Sequence, residues 1–319
     1  MKKLSIVLPA KNEAAGLKRV LPRIREAFLH AEIIVVDDGS TDDTVAVGRA
    51  NGAIVISHPK SLGNGAAIKS GARAASGQIL VFMDADGQHK PEDISALLLR
   101  LEEGFDMVVG ARSRSSQAGA HRAVANGAYN ILATWMVGQK VEDLTSGFRA
   151  VYADKFRQFL YLLPNGFSYP TTITMSFFRA GYSVSYFSID APPRIGESHV
   201  RIFRDGMRFF LIIFKIGTLF SPLKMFIPVS AAFFLAGLGY YFYTFVAIHR
   251  FTNMSALMFI TSIQVFLMGL VSEQISALNY KESNAHLDAA SMRDLGGIVE
   301  HAHLRKSPVE LNERPNDRQ

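Results

Sequence analysis

The sequence predicts an α/β domain on a mainly parallel sheet, followed by an interfacial helix and two membrane-spanning helices. Three observations carry that reading. Short apolar runs alternate with helix-like periodicity through the first third of the chain. One of those runs, Leu80 to Met83, passes straight into Asp84-Ala85-Asp86. From about Met225 the composition turns almost wholly apolar. Strands alternating with helices imply parallel pairing through right-handed crossovers.

The elements follow in order. Leu4 to Leu8 is a short strand-like run ending in the polar loop Pro9-Ala10-Lys11-Asn12-Glu13, with helical periodicity from there to about Leu29. Glu32 to Val36 is a second run, ending in Asp37-Asp38-Gly39-Ser40-Thr41-Asp42, where Ser40 or Thr41 suits a helix N-cap. Ala53 to Ser57 is a third, followed by the glycine-rich Gly63-Asn64-Gly65 at the start of a helix. Ile79 to Met83 is the fourth, and a helix over Pro91 to Glu103 and a strand over Asp106 to Val109 come next. Apolar runs of this length bounded by turn residues read as buried strands. In open α/β sheets ligands bind at the carboxyl ends of such strands.

Asp84 and Asp86 fall at that edge. Carboxylates so close repel each other unless a cation lies between them. Mg²⁺ or Mn²⁺, held by a few carboxylates and keeping positions for substrate phosphates, answers that need. A solvated Asp-rich turn is the alternative, and the polar loops closing the other strands argue against it. Gly63 and Gly65 alone make only a turn. No phosphate loop of the G-x-x-x-x-G-K-[ST] type and no G-x-G-x-x-G fingerprint is present, against an ATPase or a dehydrogenase.

Composition narrows the classes. The chain has 319 residues, 49% apolar, with a net charge of +6 and no cysteine. Disulfides and thiolate metal sites are therefore excluded. The N-terminus enters a strand directly, with no signal-peptide h-region expected. Positive charge suits nucleic acid or a membrane surface. The apolar distribution favours the membrane, and no nucleic-acid-binding motif is present.

Pro9-Ala10-Lys11-Asn12-Glu13, Val36-Asp37-Asp38-Gly39-Ser40-Thr41-Asp42 and Asp84-Ala85-Asp86-Gly87-Gln88-His89-Lys90-Pro91 resemble the family 2 glycosyltransferases of GT-A fold. Gly110-Ala111-Arg112 and Asp143-Leu144-Thr145-Ser146-Gly147-Phe148-Arg149-Ala150 narrow the likeness to polyprenyl-phosphate sugar transferases, the dolichol-phosphate mannose synthase branch above all. The likeness runs over roughly residues 4 to 205 and departs at Asn64 and His199, where the family often carries Lys. It implies a Rossmann-like GT-A domain over residues 1–199. It also implies a donor site of Pro9, Ala10, Asn12, Glu13, Asp37, Asp38, Gly65, Asp84 and Ala85, and Asp84, Asp86 and Gln88 around Mg²⁺ or Mn²⁺. Arg112, Arg122, Arg149 and Arg194 would hold the acceptor phosphate, with Asp84, Asp86, Arg149 and Arg194 as the catalytic set. The implied partners are a nucleotide-diphospho-sugar of GDP-mannose or UDP-glucose type, a polyprenyl phosphate and the bilayer. A homo-oligomer stays open, and no nucleic acid is involved.

Met225 to Ile248 is 24 residues without a formal charge, enough at ~1.5 Å per residue to span a bilayer core. Ala256 to Leu278 is a second span, interrupted by Gln264, Glu273 and Gln274. A buried core helix explains either alone, whereas a tandem pair around a polar break makes a membrane hairpin, placed at 223–280. Arg194, Arg201, Arg204, Arg208, Lys215 and Lys224 precede it, and Arg250 lies in its loop. The positive-inside rule then puts the catalytic domain on the cytoplasmic face of the inner membrane. Residues 200–222 mix Arg with Phe, Ile and Leu as an interfacial helix would. Residues 281–319 read as a polar, loosely ordered cytoplasmic tail.

A phosphate monoester acceptor has a second pKa near ~6 and is mostly dianionic at neutral pH. It needs guanidinium groups to grip it more than a strong base. Its direct attack would invert the anomeric carbon. Three rival classes remain: an enzyme acting on a saccharide or another lipid, a catalytically dead membrane scaffold, and a processive polysaccharide synthase. The last needs a Q-x-x-R-W motif, and the single Trp is Trp135 in Ala133-Thr134-Trp135-Met136.

Overall fold

A computed structural model describes residues 3–112, 120–166, 169–190, 214 and 217–304. Its centre is a seven-stranded sheet in the order β3-β2-β1-β4-β6-β5-β7. The strands are β1 (Leu4–Ala10), β2 (Glu32–Asp37), β3 (Ile54–Ser57), β4 (Ile79–Phe82), β5 (Met107–Arg112), β6 (Arg149–Tyr152) and β7 (Val184–Ile189). The first five match the apolar runs. β1, β2, β3 and β4 are parallel neighbours, as are β5 and β7. β6 enters antiparallel between β4 and β5, so the sheet is mixed, with the parallel pairings in the majority.

The crossovers are α1 (Ala14–Ala27), α2 (Thr44–Ala50), α3 (Asn64–Ala74) and α4 (Asp93–Glu102). Each turns an apolar stripe to the sheet: α1 buries Leu17, Val20, Leu21 and Ile24 at three- and four-residue intervals. These residues join Ile6, Leu8, Val35, Val81 and Val108 in one core. Further on come α5 (Ala120–Val137), α6 (Ala153–Arg157) and α7 (Tyr169–Arg179). In α7 every residue from Tyr169 to Phe178 is buried.

The hairpin is α8 (Pro222–Ile248) and α9 (Asn253–Leu304). Two 26-residue stretches, Pro222–Ala247 and Asn253–Leu278, have mean hydropathy 1.6 and 2.0 and are long and apolar enough to cross a membrane. Only 6% and 17% of their most apolar windows is buried, whereas the core helix of a globular protein would be mostly covered. Ser230 and Ser262 donate reciprocally to each other's carbonyls, both at 2.9 Å. Such bonds between apolar helices tie them without water.

Two expectations need correction or placement. Residues 281–304 are helical, as the continuation of α9, where a loosely ordered tail was expected. Helix formers such as Ala285, Leu287, Ala289, Ala290 and Met292 recur there and no proline intervenes before Pro308, which lets a polar segment stay helical. The interfacial segment at 200–222 lies, apart from Phe214 and residues 217–222, outside the described residues, as does Arg194.

Candidate functional site

A cavity of about 470 Å³ opens over the carboxyl ends of β1, β2 and β4. Strand order reverses between β1 and β4, which is where open α/β sheets form their binding crevice. The register sets Ala10 opposite Asp37 and Val7 opposite Phe82, so Pro9, Asp38 and Asp84 converge on one edge. All three line the cavity, with Ala10, Lys11, Glu13, Ala85 and Asp86.

On the β2 side Asp38 is nearly enclosed, its side chain 6% exposed. Oδ1 accepts from His58 Nδ1 and Leu62 N–H, both at 2.8 Å. Oδ2 accepts from the Ser61 hydroxyl at 2.7 Å and Gly63 N–H at 2.8 Å. These contacts fill all the lone-pair sites a carboxylate offers. Burial opposes its charge, but the bonds from His58, Leu62, Ser61 and Gly63 hold its pKa down to about 2. His58 is buried too, its Nε2 lying 2.9 Å from Ser70 Oγ of α3. Asp38 thus fixes the 61–63 loop, and Ser61 and Gly63 of that loop line the cavity.

On the β4 side Asp84 opens outward. The Asp84 side chain is 41% exposed and lies 3.6 Å from His89 Nε2. Burial raises its pKa, but His89, Arg112 and Arg149 together hold it below the usual carboxylate range. Gly147 packs on this carboxylate: a Cβ there would lie 3.2 Å from Asp84 Oδ2. Asp86 Oδ1 accepts the Gln88 N–H at 3.0 Å, closing a turn. Gln88 itself does not line the cavity.

The cavity carries Glu13, Asp38, Asp84 and Asp86 against Lys11, an excess of negative charge facing any anionic ligand. Among the described residues no cluster of three His, Cys, Asp or Glu side chains forms a complete metal cage. The Asp84 and Asp86 carboxylates beside a roomy cleft fit Mg²⁺ or Mn²⁺ that completes its shell with phosphate oxygens and water.

Not every expected residue reaches the cavity. Asn12, at φ 57°, accepts from Thr41 N–H at 2.8 Å through Oδ1 and so links two loops. Asp37 is buried and accepts from Ser40 N–H at 3.0 Å. Gly65 sits against the Pro164 carbonyl, where a Cβ would clash. These three shape the rim without lining it. Arg112 Nε bridges Asp143 at 2.9 Å and its Nη2 reaches the cavity-lining Thr145 Oγ1 at 2.6 Å. Arg122 falls on α5, and its side chain lies outside the described residues.

Arg149, expected at the acceptor phosphate, lies behind the cavity wall rather than on it. It is fully buried, donating to the carbonyls of Ser146 and Pro170 and to Thr174 Oγ1, with its guanidinium carbon 5.7 Å from the Tyr169 ring centre. Ser146, Pro170, Thr174 and Tyr169 thus engage it in the core, its Nε has no hydrogen-bond partner among the described residues, and it does not line the cavity. It supports Gly147, Tyr169 and Pro170, which line the cavity. Sequence reasoning missed His58, Ser61, Thr145 and Tyr169. His58 was findable: β2 and β3 pair Asp37 with Ser57, so the next residues, Asp38 and His58, must face each other.

Residues 5–162 match the profile of glycosyl transferase family 2. This part of the chain is a family 2 glycosyltransferase domain. Residues 221–278 match a second profile, the GtrB C-terminal hairpin. The chain is 27% identical over 292 residues to the glycosyltransferase AglJ of Haloferax volcanii, covering 87% of this chain and 95% of that protein. It is 33% identical over 158 residues to the undecaprenyl-phosphate 4-deoxy-4-formamido-L-arabinose transferase of Proteus mirabilis, covering 46% of this chain and 48% of that one. The polyprenol monophosphomannose synthase of Mycolicibacterium smegmatis is 30% identical over 158 residues, 46% of this chain and 60% of its own. The chain thus spans about half to three fifths of the last two. The glucosyl-3-phosphoglycerate synthase of Mycobacterium tuberculosis, solved with Mn²⁺ and UDP-glucose, superposes with a TM-score of 0.55 at 25% identity, over 68% of this chain and 78% of that one.

Proposed function

We propose that this family 2 transferase moves a hexose from a nucleotide-diphospho-sugar, of GDP-mannose or UDP-glucose type, to a polyprenyl phosphate, with inversion at the anomeric carbon. The observation that carries the reading is the union in one chain of an acidic strand-edge cavity and an apolar hairpin. The hairpin profile and the lipid-phosphate relatives support it, and a soluble acceptor would have no use for the hairpin. The reaction then takes place at the cytoplasmic face of the inner membrane.

In this reading the half of the cavity over β1 and β2 receives the nucleoside, against Pro9, Ala10, Glu13 and the loop that Asp38 fixes. Asp84 and Asp86, with Gln88 beside them, would hold Mg²⁺ or Mn²⁺. That ion supplies electrostatic stabilisation of the departing diphosphate. Arg112 stands next to Thr145 at the cavity and, with Arg122 and Arg194, is assigned to the acceptor phosphate. Its dianion needs orientation more than deprotonation.

The test is to place purified full-length chain in lipid vesicles with polyprenyl phosphate and a panel of labelled sugar nucleotides. One donor should yield a labelled, mild-acid-labile lipid monophosphosugar. Label appearing only in free saccharide, or none in lipid with any donor, overturns the reading.

A further inference from the structure

The second apolar stretch contains one carboxylate, Glu273, and the structure gives it two partners. Oε1 lies 2.9 Å from Arg179 Nη2, at the last residue of α7. Oε2 accepts the Leu223 N–H at 3.3 Å, in the first turn of α8. One side chain therefore joins both hairpin helices to the catalytic domain. A second anchor lies nearby: Lys224 Nζ donates to the Trp135 and Met136 carbonyls at the end of α5, at 3.2 and 2.9 Å. An ionised group in such a stretch is costly unless partnered, and its partner marks its role.

The helix that Glu273 grips leads to the cavity. α7 begins with Tyr169 and Pro170, both cavity-lining, and ends at Arg179. It is buried from Tyr169 to Phe178, and at ~1.5 Å per residue it is a rod of roughly 16 Å. From these contacts we infer that the Arg179–Glu273 pair is a latch setting the height and tilt of the cavity over the bilayer, so that a membrane-held phosphate meets the donor. The inference rests on the lipid-phosphate acceptor proposed above. Arg179 and Glu273 are positioning residues that touch no substrate.

The absence of cysteine permits a direct test of position. Spin labels at L99C on α4 and F251C in the hairpin loop, both exposed positions, report the domain-to-hairpin distance in vesicles. With the latch intact the distance distribution should be narrow. E273Q, which keeps the acceptor for Leu223 N–H, should broaden it, and R179Q should do the same. The charge-swapped R179E/E273R, which restores the ion pair but leaves Leu223 N–H without its acceptor, should narrow it in part. In parallel, E273Q should lose about tenfold in kcat/KM for long-chain polyprenyl phosphate in the bilayer, the worth of one charge-assisted hydrogen bond. A short-chain, water-soluble prenyl phosphate should be used nearly as well as by wild type, which also reports an intact fold. An unchanged distance distribution in E273Q and R179Q overturns the latch, as does an equal loss on both acceptors. Failure of the wild type to glycosylate either acceptor overturns the acceptor reading, while the distances still decide the latch.

Discussion

Asp38 and Asp84 end the two strands that flank β1, yet they stand in opposite chemical situations. Asp38 is 6% exposed and spends both oxygens on His58, Ser61, Leu62 and Gly63. Asp84 is 41% exposed and turns its carboxylate into the cavity. The same residue type at the same sheet edge thus does two jobs. A carboxylate saturated by its own chain builds a wall, whereas one left open faces a ligand. Arg149 and Arg112 repeat the contrast among the cations: one is sealed in the core, the other is partly open beside Thr145.

The largest expected effect tests the open side. Asp84→Asn and Asp86→Asn should each cut kcat by about 10²-fold or more, the scale of losing transition-state electrostatics. Removal of divalent ions with EDTA should do the same to the wild type. Thermal unfolding should barely move, because neither side chain supports the core. A large drop in Tm, or full turnover in EDTA, would place these residues with the walls.

Next comes Arg149. Arg149→Ala empties a fully buried site and removes the donor to the Ser146 carbonyl, while Pro170 keeps the Thr174 hydroxyl, so we expect a loss of ~2–5 kcal/mol in denaturant unfolding. Lys should rescue little, because an ammonium lacks the planar fork. A stable R149A protein defective only in acceptor KM would return Arg149 to the phosphate.

The smallest effects belong to the closed side. His58→Ala should raise the donor KM several-fold, on the scale of one hydrogen bond worth ~1 kcal/mol, with kcat little changed. His58→Asn should recover part of that, since its amide can still donate to Asp38. Asp38 also predicts an acid limb. Its pKa falls from an ordinary 3.8 to about 2 on folding. The charged form is the favoured one in the native state, so its contribution is complete above pH 3.8 and disappears as pH falls through about 2. Stability curves from pH 5 to 2 should lose about 2 kcal/mol through this group, a component absent from Asp38→Asn.

Much of this was legible in the chain itself. Continuous runs such as Ile33 to Val36 and Leu80 to Phe82, bounded by turn residues, read as buried strands, and the turns after them placed the cavity. β6 escaped because it starts on a charge, Arg149, within a motif that read as chemistry. β7 escaped because it is only partly buried along most of its length, which blurs the apolar signal. The burial of Arg149 was not readable: a guanidinium in a loop motif and one in a core are the same letter. Only the carbonyls of Ser146 and Pro170, brought around it by the fold, distinguish them.

The interposed β6 also bears on how the chain comes together during synthesis. β1 to β4 can pair as soon as Phe82 has emerged, each strand finding a parallel neighbour already made. β5 has no such neighbour, because its partners β6 and β7 are both encoded after it. From Met107 until at least Arg149 has followed, a run of mostly apolar residues waits with two bare edges, the condition that invites mispairing. The sheet is complete in sequence at Ile189, before the hairpin begins at Pro222. In order of synthesis, β5 therefore gains both of its partners before the hairpin helices are made.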